Sequence, residues 1–339
     1  MNLDHLREAL AETPESELAS ATLTRLTERG FDVLPPPGSG STLRRWQALA
    51  TVAEHDLSLA KLYEGHTDAL AIWQECTGSR PASPGTWGVW AAEAPPDRLL
   101  IEPGPTDGEA VVLQGLKHWC SGAASATHAL VTAWVPGQTK PQLVALDLAQ
   151  DAVQVESSAW RAIGMSGSPA LDVRMTRARG RLVGEPGEYL DRPGFWHGGA
   201  GVAACWFGGT IAIADALRGA VQRSSRAPDA LRLAALGRVD LLLHQTAAVL
   251  REVAHEIDAA PARDAQAACL RARLAAEACA SATLDEVGRA LGAAPFCRDA
   301  KFARMAVDLP VFIRQSHADR DLANLGTAVL EEGGPRWAL

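Results

Sequence analysis

Gly115-Leu116-Lys117-His118-Trp119-Cys120-Ser121-Gly122-Ala123 is the stretch on which the reading of this chain turns. Val111-Val112-Leu113 precedes it and the apolar run Ala129 to Val135 follows, so it lies in a block with the short pattern of sheet. The small residues after Trp119 leave room for a flat ligand to approach the backbone, and the indole offers that ligand a stacking face. An ordinary hairpin, with a Gly turn and a Trp at a strand end, uses the same letters, and both readings stand on the residues alone.

On the N-terminal side the pattern is helical. Leu18, Leu23 and Leu26 are helically spaced and Gly30 is placed to end that helix. Pro-Pro-Pro-Gly-Ser-Gly at 35–40 breaks the chain, and a second helix starts at Ser41 or Thr42 with Leu43, Trp46, Leu49, Ala50 and Ala53 on one face. Asp56 is placed to cap the next helix, which carries Leu59, Leu62, Tyr63 and Leu70. A Gly/Pro/Ser-rich segment after Cys76 marks a boundary. From Trp87 to about Val183 short strands alternate with turns and no long helical crossover intervenes, which predicts an antiparallel barrel rather than an α/β sheet. Small residues then dominate to Ala216, followed by helical periods over Leu231 to Ile257 and Asp264 to Leu291, and a last helix interrupted near Pro310. The expected class is α+β, with an N-terminal helical domain (1–83), a central antiparallel β-barrel (84–184) and a C-terminal helical bundle (185–339).

Composition narrows the function. The 339 residues are 47% hydrophobic and 21% charged, as in a globular chain, and the formal charge of −8 with no basic run argues against nucleic acid. The opening residues are polar and read as no secretion signal, the 200–217 region is broken by glycines, and the six cysteines lack C-x-x-C spacing. A cytoplasmic protein with reduced thiols and no membrane partner is expected. His244, Glu252, His255 and Glu256 do not make a metal motif; Ser166-Gly-Ser168 is no nucleophile elbow; and G-x-G-x-x-G is absent. Ten tryptophans stand against two tyrosines, and those at 73, 87, 90, 119, 134 and 160 fall in or beside the strand block, as core filling or as pocket walls.

The opening phrase resembles the G-x-K-x-W-I-[ST]-[NG]-A segment of the acyl-CoA dehydrogenase superfamily. Trp160-Arg-Ala-Ile-Gly-Met-Ser-Gly-Ser-Pro169 resembles its W-x-x-x-G-[ML]-[RS] turn and Leu171-Asp-Val173 its next strand. Gly288, Gly292 and Phe296-Cys-Arg-Asp-Ala300 are similar to its glycine segment and R-D-A helix start. The likeness covers nearly the whole chain. It implies an FAD-dependent oxidoreductase that dehydrogenates an acyl-CoA or related small acyl substrate at the α,β bond. It also implies a homodimer or homotetramer, with electron-transfer flavoprotein as an electron acceptor.

Carried over residue by residue, the resemblance makes Trp119 the aromatic beside the isoalloxazine ring and Ser121 the hydroxyl near its reactive edge. Trp90 opens the neighbouring flavin segment, and Arg223 and Arg226 replace the missing R-x-x-F-G phrase at the phosphate. The chain departs from the pattern in two places. The T-E-P-x-A-G-S-D loop is reduced to Ala91-Ala-Glu93-Ala-Pro-Pro96, and Leu325 precedes Gly326-Thr327 where the family has its glutamate base. The remaining candidates for proton exchange are His197, at the start of the C-terminal domain, and His317, in the final helical region. These departures keep two alternatives open: a flavin-dependent monooxygenase of the same fold, and a noncatalytic assembly subunit paired with a paralogue.

Overall fold

The computed structural model describes residues 2–14, 16–94, 97–102, 108–156, 160–223, 229–331 and 337. Four helices come first: α1 (Leu3–Ala11), α2 (Ala19–Glu28), α3 (Thr42–His55) and α4 (Leu57–Thr77). Strands follow: β1 (Trp87–Trp90), β2 (Leu100–Ile101), β3 (Ala110–Ser121), β4 (His128–Ala133), β5 (Gln142–Asp147), β6 (Val153–Glu156) and β7 (Ala170–Val183). The remainder is helical: α5 (Glu188–Asp191), α6 (Gly194–Gln222), α7 (Ala230–Ala259), α8 (Gln266–Leu291), α9 (Ala294–Arg298), α10 (Ala300–Phe312), a 3-10 turn (Ile313–Gln315) and α11 (Asp319–Glu331).

The strands make one sheet in the order β1-β4-β5-β7-β3-β2, with β6 also paired to β7. It is not the closed barrel the sequence predicts. Closure needs the two ends of the order to pair, and β4's outer edge is taken by β1, which runs parallel to it from Trp87↔His128 to Trp90↔Val131. β2 therefore reaches only the residue after β4, in a single bridge between Leu100 and Trp134. The other pairings are antiparallel, as expected.

The chain divides into two compact units. One comprises Met1–Leu34, Lys61–Ala162 and Ser166–Phe195, and so holds the sheet, α1, α2 and most of α4. Its main core joins Trp90, Leu113, Val131, Val144, Val173 and Met175. A second cluster packs Ile72 and Trp73 of α4 on Trp87, Leu130 and Leu143, which covers the sheet's other face and explains why β4 is buried from Ala129 to Ala133.

The other unit comprises Pro35–Ala60, Ile163–Met165 and Trp196–Leu339. In it, α6 is a single helix of 29 residues that runs through the glycines of the 200–217 region. A Cβ on Gly208 would lie 2.2 Å from the Ala50 carbonyl oxygen, so the glycine lets α6 and α3 meet at backbone distance. Such contact outweighs the roughly 1 kcal/mol that a glycine costs a helix. By length and composition α6 and α7 could each cross a membrane; the apolar window of α6 is 72% buried and that of α7 is 22% buried. Asp299 of the R-D-A phrase caps α10 by accepting from the Phe302 amide at 2.9 Å.

Candidate active site

The site residues of the sheet unit gather at the C-terminal end of β3. Lys117 pairs with Val173 and Cys120 with Leu171, so β3 advances three residues while β7 advances two. The extra residue is a bulge. Trp119 in that bulge has φ of +61°, a left-handed conformation that costs a bulky L-residue roughly 1–2 kcal/mol. The distortion breaks the in-out alternation of the strand. Lys117 and Cys120 are buried, whereas Trp119 is turned out and 60% exposed.

Trp90 does not share that exposure. Its ring is in the core, and its Nε1 donates to the Ser121 carbonyl oxygen at 3.1 Å, so it props the strand end rather than facing outward. Ser121 itself is half-buried and lines a narrow recess of about 350 Å³, its open mouth included. The recess is formed by Lys61 and Gly65 of α4, by Thr86 and Val89 at β1, and by Ser121 and Ser125 at the β3–β4 turn. Gly122 has φ of +75°, and a Cβ there would come within 2.8 Å of Leu62, which brings this turn directly onto α4.

Behind the bulge lies an ion pair that sequence reasoning missed. A lysine in a hairpin reads as a surface residue, but the Lys117 ammonium is buried, 3.0 Å from Glu93 Oε1 and 2.8 Å from the Thr132 hydroxyl. Glu93 also accepts from Thr132 Oγ1 at 2.7 Å and Trp134 Nε1 at 3.0 Å. Burial pulls the Lys117 pKa down, opposed by Glu93. Burial alone would push Glu93 up, but Lys117, Thr132 and Trp134 together hold its carboxyl below the usual range. A carboxylate so bonded stays ionised and is a poor proton acceptor near neutrality. Its one sequence signal is the solitary acid in the shortened 91–96 loop. His118 adds a second tie, with Nδ1 3.0 Å from Asp172 and Nε2 3.3 Å from Asp97.

His197, His317 and Arg223 belong to the helical unit. His197 is buried in the first turn of α6, where a Cβ on Gly38 would lie 3.3 Å from its Nδ1. His317 is exposed, and its ring is oriented by the buried Asp321, with Nδ1 3.3 Å from Oδ1 and the backbone amide donating to Oδ2 at 3.0 Å. An imidazole held this way can pass a proton while staying in reach of solvent. Arg223 is exposed just past α6, and Arg226 lies outside the described residues. Asp308 on α10 was not singled out by the sequence. It accepts the Met165 amide at 2.5 Å, and burial pushes its pKa up to about 6.

Neither a protein-family model nor a curated protein matches the sequence. Solved structures do match it. TdsC from Paenibacillus sp. A11-2, in complex with FMN and indole, superposes with a TM-score of 0.77 at 19% identity over 99% of this chain and 96% of that one. KijD3 in complex with FMN and dTDP-3-amino-2,3,6-trideoxy-4-keto-3-methyl-D-glucose does so with 0.79 at 17% identity, over 98% and 92%. A nitrososynthase from Micromonospora carbonacea var. africana gives 0.74 at 16% identity, over 95% and 99%. The fold is that of the acyl-CoA dehydrogenase-like flavoproteins. Within the acyl-CoA dehydrogenase-like fold, the resemblance read from the Lys117–Ser121 phrase, the Trp160 turn and the R-D-A helix start therefore holds at the level of architecture.

Proposed function

We propose that this protein is a flavin-dependent oxygenase acting on a small organic substrate, with a flavin mononucleotide as its first candidate cofactor. The observation that carries the reading is the outward-turned Trp119 at the Ser121 strand end. A bulky residue held in a costly backbone conformation and exposed to solvent has a use for that exposure. The indole supplies a plane for a flat ring, and Ser121, two residues on, supplies a hydroxyl at its edge. TdsC, KijD3 and their FMN complexes support flavin mononucleotide over the FAD expected from the sequence. TdsC is a dibenzothiophene monooxygenase, which supports oxygenation.

When bound and reduced, the flavin supplies two electrons to dioxygen, one oxygen atom passing to the substrate and the other leaving as water. The chain's own residues do the rest. The Lys117–Glu93 pair fixes the 91–94 segment behind the bulge. His317, oriented by Asp321, holds or passes a proton, and His197 is its buried counterpart. Arg223 and Arg226 remain proposed phosphate partners. Acyl dehydrogenation fits less well, because it needs an accessible carboxylate base of raised pKa. Glu93 is held ionised, and Asp308, which has the raised pKa, is 2% exposed and bonded to Met165. A source of reduced flavin then takes the place of electron-transfer flavoprotein. Leu231, Leu233 and Leu241 are exposed along α7 and support a homodimer or homotetramer.

The test is anaerobic titration of the purified protein with FMN and FAD, reduction, and exposure to labelled dioxygen with a panel of small acids and aromatics. FMN binding and a labelled product are expected. Bleaching of the oxidised flavin by acyl-CoA thioesters would replace oxygenation with dehydrogenation. No binding of either flavin would leave the noncatalytic subunit.

A further inference from the structure

We infer that the turn Ile163–Met165 is a catch on α10 whose hold is set by a proton on Asp308, closed while that carboxyl is neutral and loosened when it ionises. The turn lies between β6 and β7, and its three residues belong to the helical unit. Gly164 and Met165 are buried there, whereas Ile163 is exposed. A Cβ on Gly164 would lie 2.1 Å from the Val307 carbonyl oxygen and 2.8 Å from Val311, so turn and helix meet at backbone distance. Met165 holds a φ of +57°, a left-handed conformation that a residue with a side chain keeps only under constraint. The polar part of that constraint is the Met165 amide, which donates to Asp308 Oδ1.

The carboxyl that closes the catch is badly placed to carry charge. Asp308 is 2% exposed, and the Met165 amide is its one hydrogen-bond donor among the described residues. Two charged side chains act on it. Asp56, just before α4, repels the anion. Arg304, one turn earlier on α10, attracts it, but is half exposed and lies 3.5 Å from Asp56 Oδ2. Burial is the largest influence, and with Asp56 it outweighs the amide and Arg304, so the pKa is pushed up to about 6 from the usual 3.8. Opening the turn returns the carboxyl to water and to its usual value. A pKa raised in the closed state makes closure strongest at low pH and weakens it as pH rises from 3.8 through about 6. Beyond Met165 the chain enters β7 at Ala170, which faces Ser121, and the Pro169 carbonyl accepts the Gly122 amide at 3.4 Å. A loosened catch therefore gives slack to the strand end that carries Trp119 and Ser121.

Hydrogen-exchange mass spectrometry reads the catch on the full chain without flavin, so its outcome is independent of the oxygenase reading. Rates are taken from pH 5 to pH 7.5 and corrected for the chemical effect of pH on exchange. Protection of residues 163–166 is expected to fall about tenfold over that range. At each pH the segment should exchange faster than the core strand β4, because the turn opens by itself. Asp308→Asn keeps an oxygen for the Met165 amide and does not ionise. Its protection should stay level and exceed that of the unaltered protein at pH 7.5. Asp56→Asn keeps an oxygen to cap α4, removes the repelling charge and leaves Arg304 to Asp308, so the fall should shrink. Protection that is level or rises with pH in the unaltered protein would overturn the catch. So would exchange no faster than that of β4, or a fall that persists in Asp308→Asn. If Asp308→Asn does not fold, Asp56→Asn decides, and an undiminished fall there has the same meaning.

Discussion

Trp90 Nε1 donates to the carbonyl oxygen of Ser121 at 3.1 Å, and this bond ties the last residue of β1 to the last residue of β3. The two strands are not neighbours in the sheet order, so an indole does here what a backbone ladder does elsewhere. Trp90→Phe keeps most of the ring volume and deletes the donor. We expect a stability loss of about 1 kcal/mol in urea denaturation, because a half-buried carbonyl loses its partner. Flavin affinity should fall with it. A loss confined to stability would make Trp90 a core residue only.

Trp119 should behave in the opposite way. Its φ of +61° is a conformation glycine adopts freely, and its ring is mostly exposed. Trp119→Gly is expected to leave the melting temperature of the flavin-free protein unchanged within a few degrees or to raise it slightly. FMN affinity should drop by about tenfold, from lost stacking. Marked destabilisation with unchanged FMN binding would assign the indole to the fold.

The Lys117–Glu93 pair makes a pH prediction. The Glu93 pKa is lowered in the folded state, with burial the largest single influence but outweighed by Lys117, Thr132 and Trp134. A lowered carboxyl pKa contributes stability that is present above the unfolded value of about 4.5 and is lost as pH falls through the folded one. Glu93→Gln should therefore flatten the acid limb of the stability curve while lowering the neutral plateau, where the buried Lys117 ammonium loses its counter-charge. Chemical denaturation at a series of pH values reads both effects. An acid limb unchanged by the substitution would mean that other carboxylates set it.

Asp308 gives the reverse sign. Burial raises its folded-state pKa to about 6, above the usual 3.8, so the folded protein holds the proton more tightly. Stability from this group is present at low pH and is lost as pH rises between those two values. Asp308→Asn retains an oxygen acceptor for the Met165 amide and removes the charge. The variant should melt higher than the unaltered protein at pH 8, and the difference should shrink toward pH 4. A variant that melts lower at pH 8 would show that the Met165 bond needs the anion.

Helix limits and the extent of the strand block were legible in the sequence because their causes are local. Asp56 does cap α4, accepting from the Leu59 amide at 2.7 Å, and Gly30 does take a positive φ just after α2. The periods read over 231–257 and 264–291 fall within α7 and, but for two residues, α8. The Trp119-Cys120-Ser121 phrase was equally legible, as a pattern of residue types.

The tertiary structure decided what depends on a distant partner. Whether the sheet closes turned on β1 taking the β4 edge, a pairing across some forty residues that no local period encodes. Lys117 is buried because Glu93 and Thr132 bond it from two other segments, and Trp134 bonds Glu93 in turn. The continuity of α6 through Gly208 came from its contact with Ala50 on α3. Trp119 is exposed because a single extra residue in β3 reverses the alternation that a strand would otherwise impose. Residue types and short spacings are properties of the chain, whereas burial, edge pairing and the direction of a side chain are set only when remote segments meet.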